Sequence, residues 1–102
     1  VIEKLITKWQ KKIGVEAKLR NIKQMKTRWG TCNYSRKRLL INLELAKKPI
    51  NCAEYVVVHE LLHLIEKKHN KKFVTLMTHF IPKWKNIKDE LNSFLLSHEE
   101  WK

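Results

Sequence analysis

The stretch His59-Glu60-Leu61-Leu62-His63 lies inside a strongly apolar segment, and that pairing narrows the folds open to the chain. Ala53, Val56, Val57, Leu61, Leu64 and Ile65 recur at helical spacing, giving a stripe that must face a core. Tyr55, Val58 and Leu62 add apolar surface elsewhere, so the predicted helix is buried on most sides. Asn51, followed three residues later by Glu54, has the form of a capped helix start, and Pro49 discourages an earlier one. The fold must therefore wrap around a helix that carries two imidazoles and a carboxylate. Such groups are costly to bury without partners.

A metal ion is such a partner. The two histidines are four positions apart, so at about 100° per residue they share one helix face, one turn apart. Both rings can reach a single zinc ion from there. Glu60 is rotated by about 100° from His59 and can act on a water held by the metal without being a ligand. The plainer alternative is two partly buried histidines hydrogen-bonded to backbone or carboxylates.

A catalytic zinc site has three protein ligands and leaves its fourth position to water. His69 is the first candidate for the third ligand, with Glu90, Asp89 and His79 as alternatives. In an unbroken helix His69 would sit about 240° round from His63 and about 9 Å further along. It joins the site only if the chain turns sharply after Ile65. Glu66-Lys67-Lys68-His69-Asn70 is polar and ends in Asn, which tolerates a left-handed conformation or caps the next helix. No Gly or Pro enforces the break.

The rest of the chain reads as α+β. Ile2, Leu5, Ile6, Trp9 and Ile13 mark an amphipathic helix closed by Gly14. Val15, Ala17 and Leu19 alternate as in a strand; Thr27 to Tyr34 and Arg38 to Leu43 read as two more, joined by a hairpin at 33–37. Phe73, Leu76, Met77 and Phe80 form a short helical stripe. Pro82 suits the first turn of a last helix with Trp84, Ile87, Leu91, Phe94 and Leu95 on its inner face.

With 102 residues the chain suffices for one small domain. No apolar run is long enough for a membrane span. Cys32 and Cys52 form no CxxC and no dense framework, which fits a reducing cytoplasm. Cys32 is expected to be a buried small hydrophobe and not a competing ligand. Twenty-two basic against ten acidic residues give a net charge of +12, which would attract nucleic acid or other polyanions. The lysines are spread along the whole chain without a stripe of interleaved aromatics, so a solvated basic surface is the favoured reading.

Taken in order, Trp29-Gly30-Thr31-Cys32, Leu39-Leu40-Ile41-Asn42, Tyr55 to His63, His69 with Phe73, and Pro82 with Trp84 resemble the YgjP-like metallopeptidase family, akin to SprT-like and WLM zinc peptidase domains. The resemblance implies a minimal zincin-like domain, with a small three-stranded sheet packed against a buried HExxH helix plus other helices. It implies His59, His63 and His69 as zinc ligands and Glu60 as the catalytic acid/base. Members are usually longer, with an N-terminal β-rich region, so residues 1–102 look like a single C-terminal catalytic domain. Thr31 stands where Ser is usual, Leu62 where Ala is common, and Lys67-Lys68 where a Pro-containing turn is typical.

The expected activity is zinc-dependent hydrolysis of a peptide or protein, with Glu60 taking a proton from the attacking water. Three histidines would also take nickel, cobalt or copper. Candidate substrate-binding residues are Trp29, Tyr34 and Asn42, with Arg28 a further candidate oxyanion donor. Trp29 has the competing role of plain core. Strand Leu39 to Asn42 is a candidate edge that would align an extended peptide. Two alternatives keep the same residues: a metal-dependent nucleotide (UTP) pyrophosphatase, against which the lack of a Gly-rich phosphate loop counts, and a basic nucleic-acid-associated protease or binding module.

Overall fold

The computed structural model describes residues 1–94; the expectation for Leu95 lies outside the described residues. Helix α1 spans Ile2–Ile13 and buries Ile2, Leu5, Ile6 and Trp9. Gly14 closes it with φ 84°, a left-handed conformation that an L side chain adopts at a cost, and its N–H donates to the Gln10 carbonyl at 2.9 Å. Strand β1 is Leu19–Lys23, β2 is Gly30–Asn33 and β3 is Arg38–Asn42. A 3₁₀ turn at Leu43–Lys47 leads to α2 (Ile50–Leu62), followed by α3 (Lys71–Phe80) and α4 (Trp84–Ser93).

The sheet runs in the order β1-β3-β2, with β1 parallel and β2 antiparallel to β3. Leu39 and Ile41 of β3 alternate towards the core and are fully buried. The hairpin at 33–37 forms as expected: Asn33 Oδ1 accepts from the Arg36 N–H at 3.0 Å, and Lys37 takes φ 53°. The central place of β3 corrects one expectation. Leu39 to Asn42 is paired on both sides, and the open edges belong to β1 and β2.

Several boundaries differ from the sequence reading, each for a local reason. The first strand begins at Leu19, because the Lys18 N–H is the first to reach across to the Lys37 carbonyl, at 2.8 Å. The third ends at Asn42, whose side chain accepts from the Glu44 N–H and turns the chain into the 3₁₀ segment. Helix α2 starts at Ile50 after Pro49, so Asn51 and Glu54 do not cap it. Glu54 instead accepts from the Trp9 indole at 3.0 Å and from Lys8 at 3.2 Å, fastening α1 to α2.

Helix α2 is the hub. It touches α1, α3, α4, β2, β3 and the 3₁₀ turn. From Cys52 to Leu62 every side chain but Glu54 is buried, among them Tyr55, Val56, Val57, Val58, Leu61 and Leu62. His59 and Glu60 are carried inside by this packing.

Candidate metal centre

Helix α2 stops at Leu62, with His63 as its C-cap. The N–H groups of Leu64 and Ile65 fold back to the carbonyls of Leu61 and Leu62, and that of Glu66 also reaches Leu62. These tighter bonds end the helix without Gly or Pro. The chain then reverses, and Asn70 caps α3 by accepting the Phe73 N–H on its Oδ1 at 3.0 Å. His69 thus stands one residue before a firmly placed helix start and swings back towards α2.

The three rings converge through one atom each. His69 Nε2 lies 2.8 Å from His63 Nε2 and 3.1 Å from His59 Nε2. The candidate ligand atoms all lie within 4.8 Å of one another. Zinc–nitrogen bonds of about 2.0–2.1 Å in tetrahedral geometry separate neighbouring nitrogens by about 3.4 Å. Small outward movements of the rings would open the space for an ion.

The electrostatics favour the donor form. Burial first, then the positive charges of His63, His69 and Lys88, hold the His59 imidazole well below its usual range. Burial likewise lowers His63, against the opposing pull of the Glu66 carbonyl; burial and the neighbouring His63 and Lys88 lower His69. All three rings are therefore neutral at pH 7, which is the state a metal requires. The His63 Nδ1–H donates to the Glu66 carbonyl at 3.0 Å, which fixes the tautomer with its Nε2 lone pair free. Phe73 stacks on His63, with centroids 4.6 Å apart, and meets His59 edge-on at 5.1 Å. Three neutral imidazoles with converging lone pairs fit a borderline cation such as zinc.

Glu60 lies on the side of α2 covered by β2. A Cβ built on Gly30 would meet its Cγ at 3.0 Å, so the strand can approach only because residue 30 has no side chain. Burial pushes the Glu60 carboxyl up to about 8, partly opposed by the Arg28 guanidinium. A cation at the nitrogens would draw it down again. Burial and the Glu60 charge push the Cys32 thiol up to about 12, so it stays protonated and is no rival ligand.

A family model described as YgjP-like, metallopeptidase domain, matches residues 1–94. The chain belongs to that family. Members of the YgjP-like family are metallopeptidases, so a divalent metal and peptide hydrolysis come with membership. A comparison with curated protein sequences finds no match. Among solved structures, the metallopeptidase zymogen abylysin of Pyrococcus abyssi is similar at a TM-score of 0.80 and 17% identity, over 91% of this chain and 93% of that one. The metallopeptidase zymogen jannalysin of Methanocaldococcus jannaschii gives 0.78 and 20%, over 89% and 93%. At these identities the likeness is one of fold: four helices and a small mixed sheet.

Within this YgjP-like domain the alternative third ligands lie elsewhere. Glu90 sits near the start of α2, accepting from Asn51 at 3.4 Å and from the Cys52 thiol at 3.6 Å. His79 is exposed on α3 against Phe80, and Asp89 is exposed on α4. A cavity of about 200 Å³ opens beside His59 and His69, walled by residues of α2, α3 and α4. None of Trp29, Tyr34 or Asn42 lines it. Trp29 is core, and Tyr34 is exposed at the hairpin. The Asn42 amide is fully engaged: Nδ2 donates to the Met25 and Arg28 carbonyls at 3.0 and 2.7 Å, and Oδ1 accepts from the Met25 and Glu44 N–H groups.

Sequence reasoning placed Phe73, Met77 and Trp84 on inner helix faces but did not give them to the site. Lys88 was missed altogether. Its signal was present: it follows Trp84 by four residues and so shares that face of α4.

Proposed function

We propose that this domain is a zinc-dependent peptidase in which His59, His63 and His69 hold the ion and Glu60 is the general acid/base. The observation that carries this reading is the meeting of the Nε2 atoms of His59, His63 and His69, with the His63 ring held by the Glu66 carbonyl. When bound, the cation supplies Lewis acidity towards water and towards the scissile carbonyl. Glu60 follows His59 directly and is not one of the three clustered donors, which suits a proton carrier. It would take a proton from the attacking water and deliver it to the departing amine. Burial raises its proton affinity, and a bound cation would lower it again, which brings the carboxyl towards the range where it can both accept and return a proton.

The open edge of β2 suits an extended peptide better than β3 does, because Gly30 on that strand lies against Glu60. Arg28, just before β2, acts on Glu60 through its charge and is our candidate for holding the carboxylate in place. The free thiols of Cys32 and Cys52 support a cytoplasmic setting, and among the described residues no helix is long and apolar enough to cross a membrane.

The test is metal analysis of the parent protein beside His69→Ala, with casein hydrolysis by the parent beside Glu60→Gln. The reading expects one zinc per parent chain, loss of that zinc in His69→Ala, and a zinc-loaded but inactive Glu60→Gln. A parent that binds no zinc, or a fully active Glu60→Gln, overturns it.

A further inference from the structure

The cavity beside the histidines has a composition that the hydrolytic chemistry does not need. Tyr55 of α2, Phe73, Val74 and Met77 of α3, and Trp84 of α4 give it an apolar wall. At about 200 Å³ it falls below the roughly 300–1,000 Å³ of sites for drug-sized ligands, so it suits one amino-acid side chain and not a longer segment. His59 and His69 form its inner end, which makes it continuous with the candidate metal centre.

Lys88 also lines this space. It is half-buried, and among the described residues no carboxylate lies within ion-pair distance of it. An ammonium facing a metal centre works against the binding of the metal, since like charges repel. Its charge does reach His59 and His69. The same ammonium becomes favourable once an anion enters the apolar space beside it.

We propose that this cavity is a subsite for the carboxyl-terminal residue of a peptide: an apolar side chain fills the space between Tyr55, Phe73, Met77 and Trp84, and the free carboxylate meets Lys88. The inference rests on the peptidase reading and narrows it to carboxypeptidase-like trimming. The bond cut is the one on the amino side of the seated residue. Water oxygen forms the new C–O bond, the C–N bond breaks, one water proton passes through Glu60 to the departing amine, and the other leaves with the new carboxyl group. The product is one free apolar amino acid and a peptide shortened by one residue.

Binding and cleavage test this separately. Metal-free protein is titrated with N-acetyl-L-phenylalanine and with its amide, following tryptophan emission. The acid is expected to bind about ten-fold or more tightly than the amide, and Lys88→Met to remove the difference while keeping amide binding. Equal binding of acid and amide, or a preference that survives in Lys88→Met, overturns the proposal. Zinc-loaded protein is then given three peptides: one ending in a free Phe, its amide, and an amidated peptide with an internal Glu. Release of free Phe from the first alone supports the subsite. Equal cleavage of the first two, or cleavage of the third like the first, overturns it. Acid-over-amide binding without any hydrolysis sinks the peptidase reading but supports the subsite.

Discussion

Gly30 of β2 lies so close to Glu60 of α2 that a Cβ on the glycine would stand 3.0 Å from the glutamate Cγ and 3.0 Å from Val56 Cγ1. Both neighbours are buried on the central helix and cannot simply swing away. Gly30→Ala should therefore cost about 1–3 kcal/mol of stability through overpacking. Because Glu60 is displaced, kcat should fall more than metal content does. Urea unfolding, zinc analysis and casein hydrolysis on one preparation check this; unchanged kcat with full zinc would refute it.

Glu60 should limit the stability of the metal-free protein above neutrality. Its folded pKa of about 8 lies above the unfolded value of 4.5, so the folded state holds an extra proton between them. Stability from this group is complete below about pH 4.5 and is lost as pH rises through about 8. Glu60→Gln carries no such charge. At pH 8, without metal, it should be more stable than the parent by about 1–3 kcal/mol, while its hydrolytic activity falls by about 100-fold or more. Denaturation midpoints at pH 5 and pH 8 should show the gap opening with pH.

The histidines impose the opposite slope. His59, His63 and His69 all have folded pKa values lowered from 6.5, so below that value the unfolded chain takes up more protons than the folded one. Stability is intact above about pH 6.5 and falls as the solution becomes more acid. Zinc affinity should fall in the same range, because each proton competes with the ion for a lone pair. A zinc titration at pH 7.5 and pH 5.5 should give a dissociation constant at least ten-fold weaker at the lower pH; no change would count against a three-imidazole site.

Asn70 should link helix capping to metal affinity. Its Oδ1 holds the Phe73 N–H, and His69 is the preceding residue. Asn70→Ala should cost about 1 kcal/mol and, by loosening the return turn, weaken zinc binding by about 10–100-fold. Asn70→Asp or Asn70→Ser should recover most of both. Calorimetric zinc titration of the three variants decides the matter.

Asn42 gives a contrast. Buried and with its amide bonded to four backbone groups, it should cost about 2–4 kcal/mol when changed to Ala. The remaining folded protein should bind zinc normally and keep its KM. A raised KM at unchanged stability would instead return Asn42 to the substrate.

The helix around His59 and His63 was legible because the 3.6-residue period and the burial of nearly every neighbour are both written in local sequence. So were the Gly14 stop and the hairpin at 33–37, each resting on short-range turn chemistry. The helix start was misread because Glu54 has a rival partner in Trp9, 45 positions away, which no local pattern reveals. The order of the sheet was hidden for the same reason: β1 and β3 are direct parallel neighbours although β2 lies between them in sequence. Asn42 looked like a polar residue presented to a ligand, yet its bonds close a loop. His69 was legible as a candidate only, since the turn that returns it depends on backbone bonds made without Gly or Pro.

Helix α2 touches nearly every other element, and this divides labour within so small a molecule. Groups fixed on a surrounded axle cannot be re-aimed without taking the whole body apart, so reactivity is frozen there. Trp84 and Lys88 sit on the outer spoke α4 and are only partly buried, so exchange of either side chain disturbs little else. New appetites for substrate should therefore arise by change at those two positions, with the hub left untouched.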